Sequence, residues 1–538
     1  MAKFTAKAAP GGDKLRGGYY TPDPIARFIA GWVGVGGGRV LEPSCGDGAI
    51  LRHLVTVANP QKITAVELVA GEAKKATVET GVRVVVGDFF SWFEDSCHGT
   101  FDAVAGNPPY IRFGSWEPMA REPALALMRA QGMHPTRLTN AWVPFVVASV
   151  LAVRPGGRIG LVLPAELLQV GYAAALRSYL IDECASITIV SFKELVFPGI
   201  LQEVVLLLAE RGRGPAGIRT VELPNSDQLN GFDGTTPASV ARAHLHESEK
   251  WTKYYLPSSA IRLIRRVRAS GRLHPLSRYA GVDVGVVTGR NSFFCMSSAE
   301  ARQRGLIKMT MPLLSRSAQA PGLSFTAQDL AMQNSANAPN RLLTIPSGID
   351  LRRNKMLAAY LAEGELDGVP NGYKCSIRRR WWEVPSTWVP DGFMLRQIST
   401  HPRLVANLAG ATSTDTVHRV RLAEDVDIER LAAGAFNSAT FALAEVLGRS
   451  YGGGILELEP SECGHLPVPN PALVPPTLHQ KVDELLRERR IDDALNLVDE
   501  EVLIERLGFD GDDVAGLRRA WIALRDRRRG RSKRTRPI

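Results

Sequence analysis

The chain has 538 residues, more than one common hydrophobic core organises, and its length suggests about three domains. Its formal net charge is +10, but residues 525–538 carry eight Lys or Arg against Asp526 alone, a net of +7; the body holds only about +3, weak evidence that the folded part binds polyanions. No run of eighteen apolar residues and no amino-terminal apolar signal core is present, and Cys45, Cys97, Cys184, Cys295, Cys375 and Cys463 form no C-x-x-C pair, which disfavours a membrane span, export, a disulfide frame and a zinc site and predicts a cytoplasmic protein without a metal.

In chain order, the first predicted element is a helix within Tyr19-Tyr-Thr-Pro-Asp-Pro-Ile-Ala-Arg-Phe-Ile-Ala30, opened by a Thr/Pro start and continued amphipathically. Arg39-Val-Leu-Glu-Pro-Ser-Cys-Gly-Asp-Gly48 reads as a short strand entering a glycine turn, with a helix over Ala49-Ile-Leu-Arg-His-Leu-Val55. Gly46 and Gly48 let backbone approach a ligand closely. The spacing is not the phosphate-cradling G-x-G-x-x-G, and no Gly-Lys-Ser/Thr follows, so a ligand without phosphates fits better. Strands Ile63–Glu67 and 82–88 each end in a carboxylate. Glu42, Glu67 and Asp88 are thereby delivered to one edge of a parallel sheet, where open α/β sheets bind ligands and where the second acid suits ribose hydroxyls. Asp88 can accept from an adenine amino group, and Phe89 can cover the ring. Any one such acid is more often a helix cap. Three in register are harder to dismiss.

Strand 101–106 then runs into Asn107-Pro108-Pro109-Tyr110. An amino group conjugated to a heteroaromatic ring or a carbonyl has a delocalised lone pair, which must leave conjugation before the nitrogen attacks a methyl donor. Two acceptors on its N–H bonds achieve this. The Asn107 side-chain oxygen and the Pro108 carbonyl are candidates, the double proline restricts the backbone, and Tyr110 offers a flat stacking surface. Taken alone, the motif could equally be a strand-ending turn.

These motifs together resemble the class I S-adenosylmethionine-dependent methyltransferases, and within them the gamma-class, TaqI-like enzymes that methylate N6 of adenine in DNA. The order is shared: a Tyr-Thr-Pro element and helix, Glu42-Pro43-Ser-Cys-Gly46-Asp-Gly48, Asn-Pro-Pro-Tyr, then a large carboxy-terminal region. The resemblance implies a Rossmann-like α/β sheet with helices on both faces and S-adenosyl-L-methionine as cofactor. It implies that Thr21 closes over the cofactor's methionine end and that Phe145, in Asn140-Ala-Trp-Val-Pro-Phe145, lies near its adenine; core packing is the alternative for Phe145. It also puts Phe197, in Glu194-Leu-Val-Phe-Pro-Gly199, on the opposite face of the flipped base from Tyr110, and that loop position predicts partial exposure. With a fifth strand within 151–163 and another at 203–209, the sheet is expected to be complete by residue 212.

Residues 213–270 read as an irregular connector with a helix over 258–268. A mixed α+β target-recognition domain is expected over 271–470, amphipathic helices over 471–524 and a disordered basic tail over 525–538. Within the target-recognition region, a strand breaks into Gly-Arg290-Asn291, strand 310–316 ends in a basic loop, and Lys374-Cys-Ser-Ile-Arg378-Arg379-Arg380-Trp-Trp interleaves cations with aromatics. Arg290, Asn291, Arg378, Arg379 and Arg380 are the candidates for DNA contact, and packed surface is the alternative for each.

The function expected is site-specific transfer of a methyl group to N6 of a flipped adenine in double-stranded DNA, in restriction-modification or related DNA modification. A protein glutamine-N5 methyltransferase shares the tetrapeptide but lacks a large domain after the catalytic fold. Cytosine N4 enzymes more often present Ser first in the motif. An inactive DNA-binding subunit is disfavoured because Asn107, Tyr110, Asp88 and the glycine loop are all present. Fewer than twenty residues before Tyr-Thr-Pro leave no room there for a fused nuclease, so a restriction partner would be a separate protein.

Overall fold

The computed structural model describes residues 21–34, 38–197, 203–213, 217–232, 250–451 and 453–530. Two compact units divide them, the first formed mainly by the described residues up to Ser258 and the second by Ser259–Ser450 and Ile455–Arg528.

The first unit opens with α1 (Asp23–Val33), entered through Pro22, whose Ile25, Ala26, Ile29, Ala30 and Val33 form one buried stripe. In chain order follow β1 (Val40–Glu42), α2 (Leu51–Val57), β2 (Ile63–Glu67), α3 (Ala70–Thr80), β3 (Val84–Val86), α4 (Phe89–Trp92), β4 (Phe101–Gly106), α5 (Pro118–Ala130), α6 (Trp142–Ala152), β5 (Val153–Pro164), β6 (Cys184–Phe192), β7 (Val204–Arg211) and β8 (Ile218–Leu223). The eight strands make one sheet in the order β3-β2-β1-β4-β5-β7-β6-β8. β1 pairs in parallel with β2 and β4, β4 with β5, and β7 runs antiparallel to both β5 and β6. The chain leaves β1 toward β2 and β3, then returns to place β4 on the other side. The crevice beyond the carboxyl ends of β1 and β4 is thus the topological switch point, where such sheets bind ligands. Helix α6 is buried at every residue, as its unbroken apolar sequence demands.

The sheet does not finish near residue 212. β8 pairs in parallel with β6 over Ile187–Phe192, and beyond it Phe232 stacks on Phe28 of α1 with ring centroids 5.8 Å apart. The segment expected to be a connector therefore begins as a sheet edge. The expectation failed because Ile218-Arg-Thr-Val-Glu-Leu223 buries only its first residue, so its alternation is faint. Much of the rest of that connector, 214–216 and 233–249, lies outside the described residues.

The second unit contains α7 (Ser258–Ala269), β9 (Ala280–Asp283), β10 (Thr310–Leu314), β11 (Ser324–Phe325), α8 (Lys355–Leu366), α9 (Tyr373–Ser376), β12 (Gly392–Leu395), β13 (Leu404–Asn407), β14 (Val417–Leu422), α10 (Ile428–Ala435), α11 (Ser438–Leu447), α12 (Leu478–Arg487), α13 (Ile491–Val498) and α14 (Gly511–Gly530). A five-stranded sheet runs β9-β14-β12-β13-β11. Mixed α+β structure followed by helices is as expected. The boundary placed at residue 470 is not a domain boundary, because α12 is tied to the sheet's edge. Asp483 accepts from Leu323 N and Ser324 N at 2.7 and 2.8 Å, and Arg487 bridges Asp483 and Asp329.

The basic tail also starts later than residue 525. α14 continues through Gly530, and Arg528 is buried, donating to both oxygens of Glu445 on α11 at 3.0 and 2.6 Å. An arginine that reads as tail is thus half of a buried ion pair. Residues 531–538 lie outside the described residues. Among the described residues no helix is long and apolar enough to cross a membrane.

Candidate active site

At the switch point Glu42 closes β1 and Asn107 follows β4 directly. The Asn107 amide nitrogen donates to Thr21 Oγ1 at 3.2 Å, which orients the side-chain oxygen away from Thr21. That oxygen lies 3.1 Å from the Tyr110 hydroxyl, which also faces the Val162 carbonyl at 3.1 Å. Ser44 Oγ donates to the Asn107 carbonyl at 3.4 Å and braces the motif against the first loop. The Pro108 carbonyl takes no hydrogen bond from the described residues and keeps its acceptor capacity. Of the two expected amine acceptors, the Asn107 oxygen is set by Thr21 through the amide, and the Pro108 carbonyl is its neighbour in the chain.

Beside the motif lies a cavity of about 390 Å³, walled by Thr21, Glu42, Gly46, Glu67, Asp88 and Asn107 among others. Glu42 is 1% exposed, and its Oε2 has no hydrogen-bond partner among the described residues. Burial, reinforced by the nearby Asp47 and Glu67 carboxylates, pushes its pKa well above the usual carboxylate range. A buried, underbonded carboxyl on a cavity wall favours a positively charged occupant. Glu67 accepts from Gly46 N at 2.9 Å through one oxygen and from Val69 N at 2.8 Å through the other, and each oxygen retains a second lone pair. Asp88 is both a helix cap and a cavity residue. Its Oδ1 accepts from Ser91 N at 2.9 Å and from Ser91 Oγ, while Oδ2 receives nothing from the described residues.

The two glycines of the loop separate. Gly46 adopts φ +55°, lines the cavity, and a Cβ there would meet nothing within 4 Å. Gly48, at φ +90°, is not on the cavity wall. A Cβ there would lie 3.1 Å from the Ala76 side chain on α3, so its smallness serves helix packing rather than ligand approach.

Phe89 and Phe145 stack on each other, centroids 5.1 Å apart and planes 18° from parallel, and both line the cavity beside Pro43. They form one continuous apolar wall, and Phe145 is both buried and a cavity-lining residue. Phe197 departs from expectation. It is 4% exposed, inside the apolar cluster against which Tyr110 packs. An aromatic side chain carries 150–250 Å² of surface, and Val204, Phe192 and Leu206 are available to cover it. Pro198 and Gly199, on which the expected exposure rested, lie outside the described residues.

One wall was not foreseen. Ile111, Trp116, Glu117 and Ala120 close the cavity from the segment after the motif. Glu117 caps α5 by accepting from Met119 N and Ala120 N, and Arg121 donates to the carbonyls of Phe113 and Trp116. The readable signal was Glu-Pro before an apolar helix, a helix start.

In the second unit the five DNA-contact candidates also divide. Arg378 is committed to the backbone, donating to the carbonyls of Val287 at 2.9 Å, Thr288 at 2.8 Å and Trp381 at 3.2 Å, and so holds the 284–290 loop instead of facing outward. Arg380 pairs with Glu383 at 3.3 Å. Arg290, Asn291 and Arg379 are exposed, with Arg290 donating to the Asp367 carbonyl at 2.7 Å.

Family models match the two halves in succession: N-6 DNA Methylase over residues 1–229, and the C-terminal domain of Type II methyltransferase M.Eco57I over residues 248–503. Type II methyltransferase M.XamI of Xanthomonas campestris pv. amaranthicola is 24% identical over 477 residues, covering 84% of this chain and 85% of the relative. M.AccI of Acinetobacter calcoaceticus is 22% identical over 470 residues, with 82% and 83% covered. M.TthHB8I of Thermus thermophilus is 31% identical over 205 residues, 36% of this chain and 45% of the relative.

Proposed function

We infer, from the premise that the chain belongs to the class I S-adenosylmethionine-dependent DNA N6-adenine methyltransferases, that it methylates a flipped adenine at a specific sequence of double-stranded DNA in restriction-modification. The observation that carries the reading is the Asn107 side chain, oriented by Thr21, on the wall of a cavity that also holds a buried, underbonded carboxyl. The residues present fit the cofactor. Glu42 suits the positive charge of its methionine part, Glu67 its ribose hydroxyls, Asp88 Oδ2 its adenine amine, and the Phe89 and Phe145 wall its ring. When bound, S-adenosyl-L-methionine supplies an electrophilic methyl group on a sulfonium.

Adenine N6 is reached only once the nucleotide leaves the stack, at a cost of a few kcal/mol that pocket contacts offset. Asn107 Oδ1 and the Pro108 carbonyl then accept its two N–H bonds and draw the lone pair out of conjugation toward the methyl. Tyr110 stacks on the ring, and Thr21 holds the Asn107 amide in the accepting orientation. Phe197, in the apolar cluster against which Tyr110 packs, is the candidate for the second face. The nitrogen sheds its proton after transfer, so the chain's contribution is chiefly orientation. Exposed Arg290, Asn291 and Arg379 contact DNA from the second unit.

The test is transfer of a labelled methyl group from S-adenosylmethionine to unmethylated duplex DNA, followed by nucleoside digestion. Label in N6-methyldeoxyadenosine supports the reading. Label in N4-methyldeoxycytidine, or only in protein glutamine, replaces it, and no cofactor uptake identifies an inactive subunit.

A further inference from the structure

The second unit carries an apolar pair that its own core does not use. Tyr373 and Ile377 are 73% and 63% exposed. They stand four residues apart on α9 and its C-cap, where Ile377 keeps helical dihedrals of −84° and −3°, so the two side chains share one face. The opposite face is anchored. Cys375 is 1% exposed with its thiol donating to the Thr288 carbonyl, and Arg378, one residue beyond the cap, holds the Val287 and Thr288 carbonyls. Tyr373 and Ile377 thus form a contiguous apolar patch on an anchored turn rather than singly scattered exposed side chains, and such a patch points to a partner.

Charge identifies that partner's chemistry. Tyr373–Trp382 contains four cations and no acid. Arg378 and Arg380 are engaged within the protein, but Lys374 and Arg379 are exposed on the same segment, with Lys374 Nζ 5.5 Å from the Tyr373 ring, and exposed Arg290 reaches Asp367. The neighbouring acids are partly occupied, Glu383 by Arg380 and Glu365 by the Trp381 indole N–H. An apolar tip flanked by exposed cations suits a polyanion with stacked apolar interiors.

We propose that Tyr373 and Ile377 form a wedge that enters between base steps of the DNA duplex, with Lys374 and Arg379 on the adjoining phosphates. Such wedges partly unstack a step and bend the duplex, which lowers the cost of exposing a nucleotide. The proposal rests on the reading of the chain as a DNA methyltransferase and adds the element that deforms the substrate.

The test compares the full chain with Y373S/I377S and, separately, with each single variant, on a duplex carrying the sequence context found methylated in the expression host. Both side chains are exposed, so melting temperatures should agree; Y373F serves as the conservative control. The double variant is expected to bind this duplex roughly tenfold or more weakly, as loss of aromatic stacking on a base implies, and to lose the fluorescence rise of 2-aminopurine placed at the wedged step. S-adenosylmethionine affinity should be unchanged, and Y373F should restore most of the signal. Wild-type methylation with equal DNA affinity and equal fluorescence in Y373S/I377S overturns the wedge alone. Loss of self-association in that variant with DNA binding intact overturns it in favour of a second copy. Failure of the wild type to bind or methylate any DNA overturns the functional reading and the wedge with it.

Discussion

The Tyr110 hydroxyl lies 3.1 Å from Asn107 Oδ1, the same oxygen that the reaction assigns to the substrate amine. Without a base the acceptor is thus satisfied internally, and a bound amine must displace that contact. The hydroxyl has the Val162 carbonyl, also at 3.1 Å, as its alternative. Tyr110→Phe should therefore retain transfer within about tenfold, since it removes one modest hydrogen bond and keeps the stacking face. Tyr110→Ala should lose far more. Single-turnover rates decide; equal losses in both variants would show that the hydroxyl, not the ring, matters.

Asn107→Ala should lower the transfer rate by roughly 10²-fold or more, the scale of losing a positioned polar group in a preorganised site, while cofactor binding is largely retained. Calorimetry beside the rate measurement separates the two effects. Unchanged activity would remove Asn107 from the site.

Asp88 caps α4 with one oxygen and faces the cavity with the other available. Asp88→Ala should weaken cofactor binding and cost about 1 kcal/mol of stability through the lost cap. Asp88→Ser keeps a capping oxygen and should weaken cofactor binding without that stability loss. Calorimetry and denaturation of the pair check this, and unchanged cofactor affinity in both variants rejects the contact.

Glu42 binds its proton more tightly in the folded chain than in the unfolded one. Its contribution to the ligand-free protein is therefore present below the ordinary carboxylate range and is lost as pH rises through the elevated folded value. A cation in the cavity favours the ionised form, so S-adenosylmethionine affinity should increase with pH across that window. In Glu42→Gln this dependence should disappear, and the ligand-free variant should gain stability at neutral pH. Titration calorimetry at several pH values, paired with melting curves, tests both.

Arg528 and Glu445 are each under 5% exposed in their side chains. Arg528→Ala leaves a buried carboxylate unpaired and should destabilise the second unit by about 3–5 kcal/mol.

How far the sequence reveals this architecture depends on where each signal comes from. The first half of the sheet and the acids on its edge are legible because three successive apolar strands each end in a carboxylate, a register that a single helix cap does not produce, and Asn107 is legible because its motif follows them in the same order on the same edge. Gly48 was misread since a glycine needed for Ala76 looks like one needed for a ligand. Arg378 and Arg528 were misread for a similar reason: sequence records a cation, but only three-dimensional packing supplies the carbonyls or the carboxylate that engage it. Phe197 depended on the conformation of its neighbours, and β8 on a pairing with a strand more than twenty residues away.

The most direct test of the central claim is to express the wild type and Asn107→Ala in a host that lacks adenine methylation and to map modified bases across its genome. The wild type should place N6-methyladenine in one short sequence context, absent from the variant. A genome without modified adenine, or one bearing N4-methylcytosine instead, would contradict the account.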